Sequence, residues 1–193
     1  METPTSLGHG AADDAIAAQL GASATAPVGT VGVGVVAPYD FALDRELWRW
    51  APEEVTLHAT RTPYSALPVS VEQAATVSDT EVVAQCTADL ITVGPRVLAY
   101  ACTSGSFIGG HRNQRALVEA MVAAGAPDAV TTSGALLEAL TALGVTRLGV
   151  ATPYDAAVTE RLHAFLDEAD DRVREEPPEE QHQATDKPRH RDA

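Results

Sequence analysis

Short apolar runs rich in valine alternate with helix-length amphipathic stretches along most of this 193-residue chain, and that alternation leaves few folds open. "TVGVGVVA", residues 30–37, is apolar throughout and bounded by glycine and proline, which suits a strand buried on both faces. A helix over 41–50 is expected next, with Asp40 as its cap and Phe41, Leu47 and Trp48 turned to the core. The pattern then repeats. Strands are expected over 54–60, 96–102, 128–132 and 146–152, and helices over 70–93 (one or two, punctuated near Ser78), 112–125, 133–144 and 155–169. Ser133 and Asp155 are the expected caps, Gly125 and Gly144 the expected helix closures. Strands alternating with helices predict an α/β fold: a parallel sheet with helices on both faces.

The two ends read differently. Residues 1–27 are small and polar, a poorly ordered leader with a short helix around 11–20. Residues 170–193 hold one valine and no other large apolar side chain, so burial cannot offset their ordering entropy and a disordered acidic tail is expected. The net charge of -14 argues against nucleic acid or an anionic membrane as partner. Lys187 is the only lysine, which excludes a lysine Schiff base or a P-loop lysine from the body of the chain. Cys86 and Cys102 make neither a disulfide framework nor a metal-finger spacing. With no signal-type segment and no apolar run of membrane length, a reduced cytoplasmic location is expected.

Ligands of open α/β sheets bind beyond the carboxyl ends of the strands. The first strand delivers Pro38, Tyr39 and Asp40 there, the next candidate Cys102, Thr103, Ser104, Gly105 and Ser106, and the later ones Thr131, Thr132 and Ser133, then Thr152, Pro153 and Tyr154. A thiol, tyrosine and many hydroxyls on one rim, with backbone N–H groups at helix starts, suit a small carboxylate. Cys102 is a candidate nucleophile or a small buried residue; position alone leaves both open. Cys86, inside a helix, is expected to pack. Asp40 has two readings, general base or helix cap. His58 is expected to pack on its strand; His111, near the Cys102 loop, has two readings, a base or an exposed residue, with exposure favoured. Tyr154 reads as a proton donor, a carboxylate ligand or an ordinary loop tyrosine. His182 and His190 fall in the tail and look incidental. "GVGVVA", residues 32–37, loosely matches a dinucleotide fingerprint, but its glycines lie inside the strand and the expected acid after the second strand is missing. A nucleotide-binding domain therefore ranks last.

"YACTSGSF", "TTSGALLEALTALGV" and "RLGVATPYDAAVTERLHAFL", in that order and spacing, resemble the aspartate/glutamate racemase superfamily over about residues 31–169. The branch they are most similar to is that of maleate cis-trans isomerase and arylmalonate decarboxylase. The resemblance implies a cofactor-independent enzyme of small dicarboxylates, with two α/β lobes and a site between them. It implies Cys102 as the first-lobe catalytic cysteine and Tyr154 as the tyrosine that hydrogen-bonds substrate. Thr103, Ser104 and neighbouring backbone N–H groups would hold a carboxylate, with Tyr39, Asp40, Thr132 and Ser133 as further substrate-binding candidates. In the isomerase, a thiolate adds to the maleate double bond; rotation and elimination then give fumarate. In racemases, paired cysteines exchange a proton beside a carboxylate. Arylmalonate decarboxylase has a small non-cysteine residue at the place of Cys102, so the isomerase or racemase reading is favoured. The first strand departs from the isomerase pattern, offering Tyr39 and Asp40 where an asparagine is expected. Residues 28–145 are read as the first lobe and 146–169 as the start of a second, cut short by truncation or frameshift. Without the second-lobe cysteine the chain is expected to be catalytically incomplete. The alternative is a non-catalytic remnant or binding module. Unpaired apolar faces after residue 147 predict self-association, a homo-oligomer among the outcomes.

Overall fold

Valine-rich β1 (Val31–Ala37) lies between two parallel neighbours, β2 (Val55–Arg61) and β3 (Val97–Tyr100), and β4 (Ala129–Thr131) extends the sheet beyond β3. The strand order is β2-β1-β3-β4. The structure, a computed structural model, describes residues 30–175. Helices α1 (Asp44–Trp50), α2 (Val71–Val77), α3 (Thr80–Ile91), α4 (Thr103–Phe107), α5 (Gly110–Ala123), α6 (Thr132–Ala142) and α7 (Ala156–Glu175) fill the connections and the C-terminal part. Helices α3 and α5 pack together against one face of the sheet, while α1 buries none of its residues. The expected parallel α/β layering is what the chain adopts.

The core sits under α3 and α5. Val83, Cys86 and Leu90 of α3 and Leu117 and Met121 of α5 pack on Val36, Leu98 and Tyr100 of the sheet. Each such side chain contributes about 1.5–3 kcal/mol when fully buried. Gly34 belongs to this packing: a Cβ there would meet Cγ of Leu98 at 2.8 Å, so this glycine of "GVGVVA" serves core packing inside the strand. A second cluster joins Phe107 and Ile108 to Val158, Leu162 and Phe165, clamping α7 onto α4.

Local signals set most helix ends. Ser70 caps α2 by accepting from the Gln73 N–H at 3.1 Å, and Asp79 caps α3 by accepting from Glu81 and Val82. The break near Ser78 is therefore two caps in succession. Asp155 accepts from the Val158 N–H at 2.9 Å and starts α7 as expected. α5 and α6 run out at Gly125 and Gly144, both with positive φ.

Several expectations fail. Asp40 caps nothing: α1 begins at Asp44, because Arg61 grips the Phe41 carbonyl and both carboxylate oxygens of Asp44 and holds 38–43 as a turn. Trp48 is 53% exposed rather than packed. Ser133 lies inside α6, and the cap is Thr131, whose Oγ1 accepts from the Gly134 N–H at 3.1 Å. Residues 146–152 form no strand; no described strand runs beside them, and Leu148 and Val150 remain exposed. Helix α7 continues to Glu175, past the expected end at residue 169. The expected leader, its helix over 11–20 and the tail beyond 175, with His182 and His190, lie outside the described residues. Among the described residues no helix is long and apolar enough to cross a membrane.

Candidate active site

The chain leaves β1 toward β2 and later returns to β3 on the other side of β1, so the strand order reverses between β1 and β3. Crevices at such reversals, beyond the carboxyl ends of the strands, are where α/β sheets bind ligands. Val36 of β1 is in register with Tyr100 of β3, so Pro38 and Tyr39 leave the sheet beside Ala101 and Cys102. Cys102 is the extended residue immediately before the one-turn helix α4 (φ -126°, ψ 107°). Its thiol is free and nearly buried, with 6% of the residue exposed. Sγ stands 3.8 Å from the Ser104 hydroxyl.

Gly105 makes this geometry possible. A Cβ at that position would collide with the Tyr100 hydroxyl and come within 3.2 Å of the Cys102 sulfur. Tyr100 itself is fully buried and donates to the Val77 carbonyl at 2.8 Å. Burial first, and the neighbouring Cys102 second, push its ionisation well above the usual tyrosine range. Sequence reasoning passed over Tyr100 as a strand residue. Its i, i+2 spacing to Cys102 was the available signal, because alternate positions of an extended chain share a face.

Tyr154 arrives from the segment before α7. Half-buried, it packs edge-on against Phe107 with ring centroids 5.9 Å apart. Burial, followed by the charge the nearby Cys102 would carry, raises its ionisation as well. Cys102, Ser104 and Tyr154 are thus brought together. Thr103 is exposed at the rim, while its carbonyl accepts from the Ser106 hydroxyl at 2.8 Å.

The other candidates divide. Tyr39 packs on the core cluster that contains Cys102, accepts from Gln73 Nε2 at 3.4 Å and meets Tyr64 edge-on. Asp40 is exposed on the turn. Thr132 is an exposed residue whose hydroxyl donates to the Tyr100 carbonyl at 3.0 Å. Ser133 is 1% exposed, and its hydroxyl meets that of Ser106 at 2.6 Å. The same Ser106 oxygen accepts from the Ser133 N–H at 3.1 Å, so this pair joins α4 to α6.

The histidine expectation is corrected. His111 is buried, stacked on Phe165 at 4.3 Å, with Nε2 2.8 Å from the Phe165 carbonyl. That places Nε2–H as a donor to α7. Exposure was expected because the partner lies 54 positions along the chain. Cys86 packs in the core as expected, and burial, then Asp89, pushes its thiol up. A cleft of about 320 Å³ opens between α2, Asp79, Asn113 and Arg161, but no thiol lines it, so the chemistry points to the Cys102 rim instead. Among the described residues, no group of three or more His, Cys, Asp or Glu side chains could hold a metal.

Compared with known proteins, residues 52–175 match the family model described as arylmalonate decarboxylase. A maleate isomerase of Nocardia farcinica (strain IFM 10152) is 33% identical over 88 residues, which is 43% of this chain and 35% of that protein. A Nocardia farcinica maleate cis-trans isomerase, solved as a cysteine-to-serine mutant with a covalently bound succinylcysteine intermediate, is 28% identical with a TM-score of 0.59, over 74% of this chain and 60% of that one. Unliganded arylmalonate decarboxylase is 32% identical with a TM-score of 0.59, over 72% and 56%. The chain therefore spans less than two-thirds of the length of these relatives. With the family model covering most of the chain, it belongs to the arylmalonate decarboxylase family.

Proposed function

We propose that this chain carries the reacting cysteine of a cofactor-independent cis-trans isomerase of small dicarboxylates, with maleate as the type substrate. The observation that carries the reading is the placement of the Cys102 thiol at the β1–β3 reversal, ahead of α4, where Tyr154 packs on Phe107. The Cys102 thiolate adds to one carbon of the double bond, and the displaced electron pair moves to the carbon beside the other carboxylate. The former double bond is now single and rotates. The pair then returns, the C–S bond breaks, and the trans acid leaves with the thiolate restored. A relative whose solved form holds a succinylcysteine supports this order of events.

Tyr154 remains protonated and donates to a carboxylate oxygen on which charge accumulates, as preorganised donors do. Ser104 and Thr103 supply hydroxyls on the same rim, and Tyr39 lies at its other side, on the β1 end. The hydroxyl of Ser133, engaged with Ser106, serves by holding the rim together. Thr132 acts similarly through the Tyr100 carbonyl. Asp40, exposed on its turn, contributes only charge at the edge. In this reading residues 28–145 are the first lobe and 146–169 the beginning of a second. The setting is reducing and cytoplasmic, and the exposed Leu143, Leu148 and Val150 are surfaces for self-association.

The test is fumarate formation from maleate followed by proton NMR, with the native chain beside Cys102→Ala. Fumarate from the native chain alone supports the assignment; equal rates in both, or no adduct of maleate on Cys102 where free thiols react, removes it. The family model favours a second reading, decarboxylation of an arylmalonate. Carbon dioxide release from phenylmalonate without maleate turnover would select it.

A further inference from the structure

The steps above give Cys102 and Tyr154 parts and leave a buried phenol beside the sulfur without one. Tyr100 lies two residues before Cys102, and its hydroxyl and the Cys102 sulfur crowd the same space over Gly105. The hydroxyl has a single proton, which goes to the Val77 carbonyl at 2.8 Å. Toward a neutral thiol it therefore presents only lone pairs. A thiolate changes the competition, because a hydrogen bond to an ionised acceptor is about twice as strong as one to a neutral carbonyl. Low surrounding polarity widens that difference.

We infer that Tyr100 is a positioning residue for Cys102: its hydroxyl rests on the Val77 carbonyl while the sulfur is a thiol and turns to donate to the sulfur once it is ionised. The thiolate is then held over Gly105 in one orientation, ready for addition. This rests on the reading of Cys102 as the reacting thiol. Burial keeps the Tyr100 proton in place throughout the range in which thiols ionise. The other titratable groups around the pair are Tyr154 from the segment before α7, Tyr39 from the end of β1 and Cys86 from α3. None of these three brings a positive charge, so a hydroxyl is the donor at hand.

The experiment is the pH profile of Cys102 alkylation by iodoacetamide in the native chain and in Tyr100→Phe, read by peptide mass mapping with Cys86 as internal reference. The expected result is a rate at pH 7 lower by about tenfold or more in the variant. The two profiles should converge at high pH, where the sulfur ionises without help. Coinciding profiles, or a ratio that is the same at every pH, overturn the inference. Because Tyr100→Phe also strands a buried carbonyl, a second measurement leaves Tyr100 intact. In the Tyr154→Phe chain, the ultraviolet thiolate band and the buried-tyrosine difference band are followed together as pH rises, against the same chain with Cys102→Ala. Bands that grow together support the turn of the hydroxyl, and a thiolate band with no tyrosine change overturns it. A native Cys102 that never alkylates faster than Cys86 contradicts both this inference and the reading beneath it; a reactive Cys102 with a constant ratio contradicts this inference alone.

Discussion

The Cys102 sulfur lies 3.2 Å from the Cβ that Gly105 lacks, beside the Tyr100 hydroxyl that such a Cβ would strike. Gly105→Ala must therefore displace Sγ, the Tyr100 hydroxyl or α4 itself. Overpacking of this kind costs about 1–3 kcal/mol. The expected outcome is a lower midpoint in urea unfolding together with altered Cys102 alkylation. An alanine variant with native stability and reactivity would show that the turn has slack which this geometry denies.

The His111 ring joins α5 to α7 by one hydrogen bond and one ring contact, both to Phe165, and the His111 backbone N–H also donates to Glu168 Oε2 at 3.3 Å. His111→Ala removes the donor and the stack, and the loss should be about 1–3 kcal/mol. Because α7 starts just after Tyr154, the tyrosine should also loosen. Thermal unfolding read beside near-ultraviolet circular dichroism checks this: the midpoint should fall and the Tyr154 contribution weaken. A stable variant with an unchanged spectrum would contradict the clamp.

Stability should decline in alkali. Cys86, Tyr100 and Tyr154 all ionise at higher pH in the folded chain than when unfolded, so the folded state holds more protons once the unfolded groups begin to titrate. Their contribution is fully present below the ordinary thiol value near ~8.5 and is lost as pH rises, first through Cys86 and then, above ~10, through the tyrosines. Cys86→Ala should flatten the first part of that fall. Urea unfolding at intervals between neutral pH and pH 11 measures it, and a flat profile would contradict the burial of these groups.

The Ser106–Ser133 pair ties α4 to α6 with both side chains out of water. Ser133→Ala leaves the Ser106 oxygen with the Ser133 N–H still bound, so the expected loss is small, about 0.5–1.5 kcal/mol. Ser133→Val adds volume at a wholly buried position and should cost more. If instead Ser133→Ala abolished substrate binding at unchanged stability, Ser133 would be a ligand group and its structural part would be wrong.

What could be read from the sequence was local. β1 is legible because a parallel strand buried on both faces is apolar at nearly every position. The start at Asp155 and the break near Ser78 are legible because a cap is chemistry within three residues. Where a distant partner decides, the reading failed. Arg61 takes the turn in which Asp40 was expected to cap, and Phe165 draws His111 inside. Helix α4 is too short to show a period, and residues 146–152 have a strand's composition without a described neighbour to pair with. For the site, the rim residues were named in advance, but Tyr100 and Gly105 emerged only when the space around the sulfur could be seen.

The most direct measurement of the central claim is peptide mass mapping after incubation with maleate, in the native chain and in Cys102→Ala. The account predicts an S-succinyl adduct on Cys102, formed faster than any on Cys86, because only Cys102 opens onto the rim at the β1–β3 reversal. A modified Cys86 with Cys102 untouched, or no adduct on either residue under conditions in which free thiols react, would contradict it.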